Sequence, residues 1–227
     1  MTPAYGLARV EKKSAEQQAI DNLRRFILSG GAQPGARLTE AALAEQLGVS
    51  RATTRTGMQR LAAEGILVQV PYTGWQVASI TAEDAWELWT LRGSLEGLAA
   101  RLVSQHPNDA GRRAVAAAMA DLAAAAARGD AEAINDCDFA FHRTVVEQAG
   151  HSRLLNQYVQ VENQVRMVIA ISNQLLGDDL LAIVAQHAPM AEALIAGDPE
   201  RARREAWDHN ESEGRKLVEH LAGKTRA

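Results

Sequence analysis

The chain has 227 residues, 47% of them hydrophobic and 23% charged, enough for one large or two modest domains whose cores need no disulfide staples. A single cysteine, Cys137, excludes an internal disulfide and fits a reducing compartment; no apolar run approaches the roughly 18 residues of a membrane span, and none follows Arg9, Lys12 and Lys13 as in a signal peptide, so the expected address is the cytoplasm with no membrane partner. The net charge of −4 argues against nucleic acid only as an average, because residues 1–80 carry net +3 and residues 81–227 net −7, which predicts two domains with different partners.

Residues 1–14 are polar and aperiodic and read as a mobile tail. Helical periodicity begins near Ala15, with Ile20, Leu23, Ile27 and Leu28 on one face, and stops at Gly30-Gly31. Pro34-Gly35 makes a turn. A second helix is expected from about Glu40 to Leu47 after Thr39, and a third from Arg51 to about Ala63 after Ser50, with Gly48 breaking one and Gly65 stopping the other. Ile66 to Val70 is a β-type run, Pro71-Tyr72-Thr73-Gly74 is turn chemistry, and Trp75-Gln76-Val77 can pair back as a hairpin. Residues 15–79 therefore form a first domain of three helices and a small hairpin.

From Thr81 the character changes. Thr81 and Asp84 resemble a capping box that opens a long helix through Trp86, Trp89, Leu95, Leu98 and Leu102. Further helices are expected at about 107–128, 130–149, 152–175, 178–196 and 198–222, separated by short Gly-, Asp- and Pro-containing loops. Six helices so joined predict an antiparallel bundle over residues 80–227, giving a mainly α chain: an N-terminal domain of three helices and a hairpin and a C-terminal all-α antiparallel helical bundle. The alanine-rich stretch Ala114 to Ala127 is a strong helix former rather than a binding element.

The segment Leu38 to Arg51 has a short helix, a Gly turn and a capped second helix, the geometry of a helix-turn-helix whose second helix enters the major groove. Arg51 and Arg55 share one face and Gln59 continues it, while Leu47, Val49, Met58 and Leu61 supply the buried side. Arginine forks suit guanine edges or phosphate oxygens, Thr53 and Thr56 can add hydroxyl contacts, and Gly74 lets the hairpin tip approach the sugar-phosphate backbone. The alternative is a helical domain with merely solvated arginines.

Pro34-Gly35-Ala36-Arg37-Leu38, Leu43-Ala44, Leu47-Gly48-Val49-Ser50-Arg51, Arg55, Leu61, Glu64-Gly65, Gly74 and Val77 together resemble the winged helix-turn-helix of GntR-family bacterial transcriptional regulators. The resemblance implies operator DNA as partner, a homodimer, Arg51 and Arg55 as the principal DNA contacts and Gly74 at the wing tip. Two departures bear on the operator sequence: Ala52-Thr53-Thr54-Arg55-Thr56-Gly57 stands where the family usually has Thr-Pro-Val-Arg-Glu-Ala, and Thr73 where it has an arginine.

The six histidines are His106, His142, His151, His187, His209 and His220. Asp138 and His142 are four residues apart and project from one helical face, the start of a divalent-metal site, whereas Asp136 lies far round the helix. The pair alone also reads as a surface or capping pair. His187 and His209, each on a later helix, can converge on the same interior point. His220 is too far along its helix, His106 and His151 read as loop or capping residues, and Cys137 reads as a small core residue.

Asp138-Phe139-Ala140-Phe141-His142, His187 with Ile195, Gly197-Asp198 and Ala202, then His209, with the earlier Leu91-Arg92-x-x-Leu95-Glu96 and Ala99-Ala100, resemble the FCD effector-binding domain of the FadR subfamily, in its shorter, VanR-like branch. That resemblance implies that Asp138, His142, His187 and His209 bind a divalent metal such as zinc or nickel, and that a small organic acid effector sits against it. Such an acid also wants a cation, for which Arg92, Arg143 and Arg166 are candidates; each can equally be a solvated or interhelical ion pair. The expected function is a DNA-binding regulator, a repressor, whose operator binding is modulated by the effector. Two alternatives stay open: a regulator for which the metal itself is the signal, and a metalloenzyme. No Glu-x-x-His, His-Glu-x-x-His or Gly-x-Ser-x-Gly is present to support an enzyme.

Overall fold

A computed structural model of the chain describes residues 14–28, 31–105, 109–175 and 179–224. The expectations for the tail at 1–13, for His106 and for the breaks at Gly30 and Gly177 lie outside these residues.

The head contains α1 (Ala15–Leu28), β1 (Arg37–Leu38), α2 (Glu40–Leu47), α3 (Arg51–Ala63), β2 (Leu67–Val70) and β3 (Gly74–Val77). Thr39 caps α2 by accepting from the Ala42 N–H at 3.3 Å, and Ser50 caps α3 by accepting from the Thr53 N–H at 3.1 Å. Between them Gly48 takes φ +66°, the left-handed turn that ends α2 and re-aims the chain into α3. The expected hairpin is a three-stranded antiparallel sheet in the order β1-β3-β2, with Leu38 opposite Trp75 and Val68 opposite Gln76. A two-residue strand between a turn and a cap leaves no alternating pattern, so β1 is invisible to periodicity. Ile20, Leu23, Ile27, Leu43, Met58, Leu61, Ile66, Leu67, Trp75 and Val77 form one buried cluster that locks the three helices onto the sheet.

The bundle contains α4 (Ala82–Gln105), α5 (Asp109–Arg128), α6 (Ala131–Gln148), α7 (Ser152–Leu175), α8 (Leu180–Ala196) and α9 (Pro199–Lys224). The capping box opening α4 is present: the Thr81 N–H donates to Asp84 at 2.9 Å and the Asp84 N–H donates back at 3.1 Å. The most extensive pairing is α4 on α9, where Trp89 meets Trp207 edge to face at 5.6 Å. Gly214 makes that approach feasible, because a Cβ there would sit 2.2 Å from Trp89 Cγ. Pro189 lies inside α8 and removes one backbone donor without ending the helix.

Head and bundle meet through Glu64 at the end of α3. Its carboxylate accepts from Arg24 of α1 at 2.8 to 3.0 Å and from Asn163 of α7 at 3.4 Å. Beside this contact lies a cavity of about 340 Å³, bounded by Ile27, Leu28 and Val77 of the head and by Met167, Asn173 and Ile183 of the bundle.

Candidate DNA-reading surface and metal centre

Along α3, Arg51, Arg55, Thr56 and Gln59 are exposed and Thr53 is half-exposed, while Met58 and Leu61 turn into the core. Arg55 is held rather than free. Its Nε and Nη2 donate to the two oxygens of Glu40 at 2.9 and 2.7 Å, and Trp75 Nε1 donates to the same carboxylate at 3.2 Å. The Arg55 hydrogen bonds hold the Glu40 carboxyl below its usual range, and the same pairing raises the guanidinium. Thr53 Oγ1 lies 2.9 Å from Ser50 Oγ, and Thr56 Oγ1 donates to the Ala52 carbonyl, so both hydroxyls already have local partners. Gly74 sits at the sheet tip with φ +100° and open space around it. Tyr72, two residues earlier, is fully exposed with φ +62°. Sequence reasoning missed both Glu40, whose link to Arg55 crosses fifteen residues, and Tyr72, read only as turn chemistry.

Inside the bundle, Asp138 and His142 from α6, His187 from α8 and His209 from α9 are buried together. The nearest donor nitrogens of the three histidines all fall within 4.8 Å of one another, and their ring centroids are 4.4 to 5.0 Å apart. Each ring is oriented from its outer side. His187 Nδ1 donates to the Ile183 carbonyl at 2.7 Å and His209 Nδ1 to the Gln186 carbonyl at 3.3 Å. His142 Nδ1 lies 2.9 Å from Glu96 Oε2 on the outer side of its ring. All three Nε2 atoms therefore turn inward. His142 Nε2 and His187 Nε2 approach to 3.0 Å, and Asp138 Oδ1 lies 3.4 and 3.2 Å from them.

Three imidazoles and a carboxylate brought together in a dry interior call for a positive centre. His209 Nε2 and Asp138 Oδ1 are buried with no hydrogen-bond partner, which is costly unless a cation completes them. Separations of about 3.0 Å are those of neighbouring ligands at about 2.1 Å from one ion. The residues present thus fit a divalent metal. Without one, a proton on His187 is the available substitute: burial pushes its pKa down, but the Asp138 carboxylate more than reverses that. His209, buried beside the other two imidazoles, is held well below the ordinary range. Phe141 stands edge-on to His142 and His187 and walls the cluster with apolar surface.

A second layer holds these side chains. Asn173 Nδ2 donates to Asp138 Oδ2 at 3.1 Å. Glu96 accepts from Arg92 at 2.7 Å, from Tyr158 at 2.9 Å and from Asn210 at 2.8 Å. Burial alone would push Glu96 up, yet the Arg92 charge and His142 hold it well below the carboxylate range, so it stays anionic. Arg92 is 2% exposed, and its Nη2 has no partner. Asn210 Oδ1 and Ser172 Oγ are also buried and unpartnered.

The other arginines are not brought to this centre. Arg143 pairs with Glu147 and Glu162 at the bundle surface. Arg166 pairs with Asp136 at 3.2 Å and lies 3.6 Å over the Phe139 ring. Both are interhelical or local ion pairs, because the residue after His142 and the exposed side of α7 point away from the seam where the imidazoles meet. His151 caps α7 by accepting from the Leu154 N–H, His220 lies farther along α9 with Glu219 and Lys216 beside a separate pocket, and Cys137 is half-buried against an apolar cluster.

Comparisons with known proteins agree with both halves. Residues 15–77 match the family model for bacterial regulatory proteins of the gntR family, and residues 87–212 match the FCD domain. A protein of Paenarthrobacter nicotinovorans named "Probable D-xylose utilization operon transcriptional repressor" is 30% identical over 203 residues, 88% of each chain. A Bacillus subtilis protein, "Uncharacterized HTH-type transcriptional regulator YdhC", is 27% identical over 85% of this chain and 86% of its own. The solved structure of McbR/YncC from E. coli superposes with a TM-score of 0.74 at 21% identity, covering 94% of this chain and all of that one, a likeness of fold. No helix of the described residues is long and apolar enough to cross a membrane. The chain belongs to the GntR family of bacterial transcriptional regulators, DNA-binding proteins rather than enzymes, with its winged head joined to an FCD domain.

Proposed function

We propose that this regulator is a homodimeric repressor that holds a divalent metal on Asp138, His142, His187 and His209 and releases its operator when a small hydroxy acid binds beside that metal. The inward convergence of three imidazoles, two of which place Nε2 within 3.4 Å of a buried, unpartnered carboxylate oxygen, carries the reading. When bound, the metal supplies a Lewis-acidic position for an effector carboxylate.

The chain's own residues supply the rest. Arg92 offers a buried guanidinium nitrogen without a partner, suited to an anion. Asn210 Oδ1 can accept from an effector hydroxyl, because its Nδ2 is already committed to Glu96 and to the Ala206 carbonyl. At the other end, Arg51, Arg55 and Gln59 reach base edges or phosphates, with Gly74 at the backbone. Two half-sites need two heads, and the effector acts by favouring one arrangement of those heads over the other.

The test is a gel shift on the DNA upstream of the regulator's own gene, together with calorimetry of metal-loaded and chelator-stripped protein. The expectation is that small hydroxy acids bind and release DNA only with the loaded form. Metal alone changing DNA affinity, with no response to any acid, would make the metal the signal; DNA binding unaffected by Arg51→Ala with Arg55→Ala would remove the reading of the head.

A further inference from the structure

Resting on the metal reading just given, we infer that Glu213 is a fifth protein donor to the same centre, so that the ion sits among three imidazoles and two carboxylates. Glu213 lies one turn beyond His209 on α9, 7% exposed, with Oε2 3.9 Å from His209 Nε2. That nitrogen, like Asp138 Oδ1, is buried with no hydrogen-bond partner.

The other buried acid nearby makes a useful contrast. Glu96 is fully committed to Arg92, Tyr158, Asn210 and His142 and stands on the outer side of the His142 ring. Glu213 makes no side-chain hydrogen bond among the described residues, and its carboxylate lies in the electrostatic field of Asp138, His187, Arg92 and His142. A buried carboxylate without donors is costly unless a cation uses it. The carboxyl also borders a pocket with Ser172, Lys216 and His220, so it is not locked in packed core on every side.

Two consequences follow for the ligand class. Two carboxylates balance a divalent charge, so the protein's own donors make a neutral centre that favours an ion able to take six ligands over a strictly tetrahedral one. Five protein donors on such an ion leave a single position, so the effector binds the metal through one carboxylate oxygen and keeps its hydroxyl for Asn210.

The experiment is calorimetric titration of the chelator-stripped full chain with Ni²⁺, comparing wild type, Glu213→Gln and, as a control on the same helix and pocket rim, Glu219→Gln. The expected result is a loss of at least about tenfold in affinity for E213Q, the scale seen when groups supporting a metal site are removed, with E219Q unchanged. Glu213→Asp, which keeps the charge on a shorter arm, should lose several-fold, and it carries the comparison should E213Q fail to fold. Wild type and E213Q, or wild type and E213D, binding Ni²⁺ within twofold of one another would overturn the fifth donor while leaving the histidine site standing. Wild type binding no Ni²⁺ would overturn both.

Discussion

Asn173 joins Asp138 to the boundary between the two domains: its Nδ2 donates to Asp138 Oδ2 at 3.1 Å and to Asn135 Oδ1 at 3.0 Å, while the side chain walls the cavity shared with Ile27, Leu28 and Val77 of the head. A ligand carboxylate that shifts on binding moves its hydrogen-bond donor, and here that donor touches the cleft against which the DNA-reading head rests. The relation gives a two-state element a physical route without any contact between effector and head. Asn173→Ala should therefore weaken metal binding by about 10- to 100-fold, the usual scale for such supporting groups. It should also reduce the ratio of DNA affinities with and without effector at saturating metal, measured by fluorescence anisotropy. An unchanged ratio would mean that coupling runs elsewhere, for instance through Glu64 and Asn163.

In the head, Glu40 holds the Arg55 fork and is itself held by Trp75. A guanidinium fixed in one pose reaches a guanine edge with less ordering still to be done on binding. Glu40→Gln should lower the affinity for operator DNA by about tenfold and leave non-specific affinity equal or slightly higher, since one negative charge near the phosphates is gone. Arg55→Ala should lose about 1–3 kcal/mol of discrimination. Competition of specific against non-specific duplex at two salt concentrations separates the effects, because only the phosphate part depends steeply on salt.

Arg92 and Glu96 form a buried pair at 2.7 Å on one face of α4, and the two do different work. Glu96 orients His142, Tyr158 and Asn210; Arg92 neutralises Glu96 and keeps one nitrogen without a partner. Removing the cation alone strands a buried anion, so Arg92→Ala should cost about 3–5 kcal/mol of stability. Arg92→Met with Glu96→Gln should recover much of that loss yet fail to bind an acid effector, since no cation remains. Urea titration reads the first part and calorimetry the second.

Most of the element order is legible because its signals are local: caps at Thr39, Ser50 and Thr81, glycines at 48 and 197, and apolar periodicity in α1, α4 and α9. The four candidate metal ligands are readable from the resemblance, and the geometry brings them together. What the sequence hides is pairing across distance. Nothing in the spacing of Glu40 and Arg55, of Asn173 and Asp138, or of Asn210 and Glu96 tells that they meet, because each contact is made by packing of separate helices. Arg143 and Arg166 follow the same rule of hidden pairing: Arg143, one residue after His142, is turned about 100° away from it and pairs with Glu162, and Arg166 of α7 pairs with Asp136 across the helix boundary.

The α4–α9 seam offers a test of packing that is independent of ligands. A Cβ on Gly214 would stand 2.2 Å from Trp89 Cγ and 2.6 Å from its Cβ, the rigid base of the side chain, so the indole cannot swing aside without moving α4. Gly214→Ala gains helix propensity of about 0.8–1.0 kcal/mol in isolation, but overpacking against a fixed ring costs about 1–3 kcal/mol, and the clash here belongs at the upper end. Net destabilisation of about 1–2 kcal/mol is expected from those two ranges. Trp89→Leu alone should destabilise by leaving a void beside Trp207, whereas Trp89→Leu combined with Gly214→Ala should be more stable than the sum of the two single changes by at least about 1 kcal/mol. Thermal and urea unfolding of the four proteins closes the cycle, and strict additivity would show that the seam relaxes freely and that the glycine does not set its spacing.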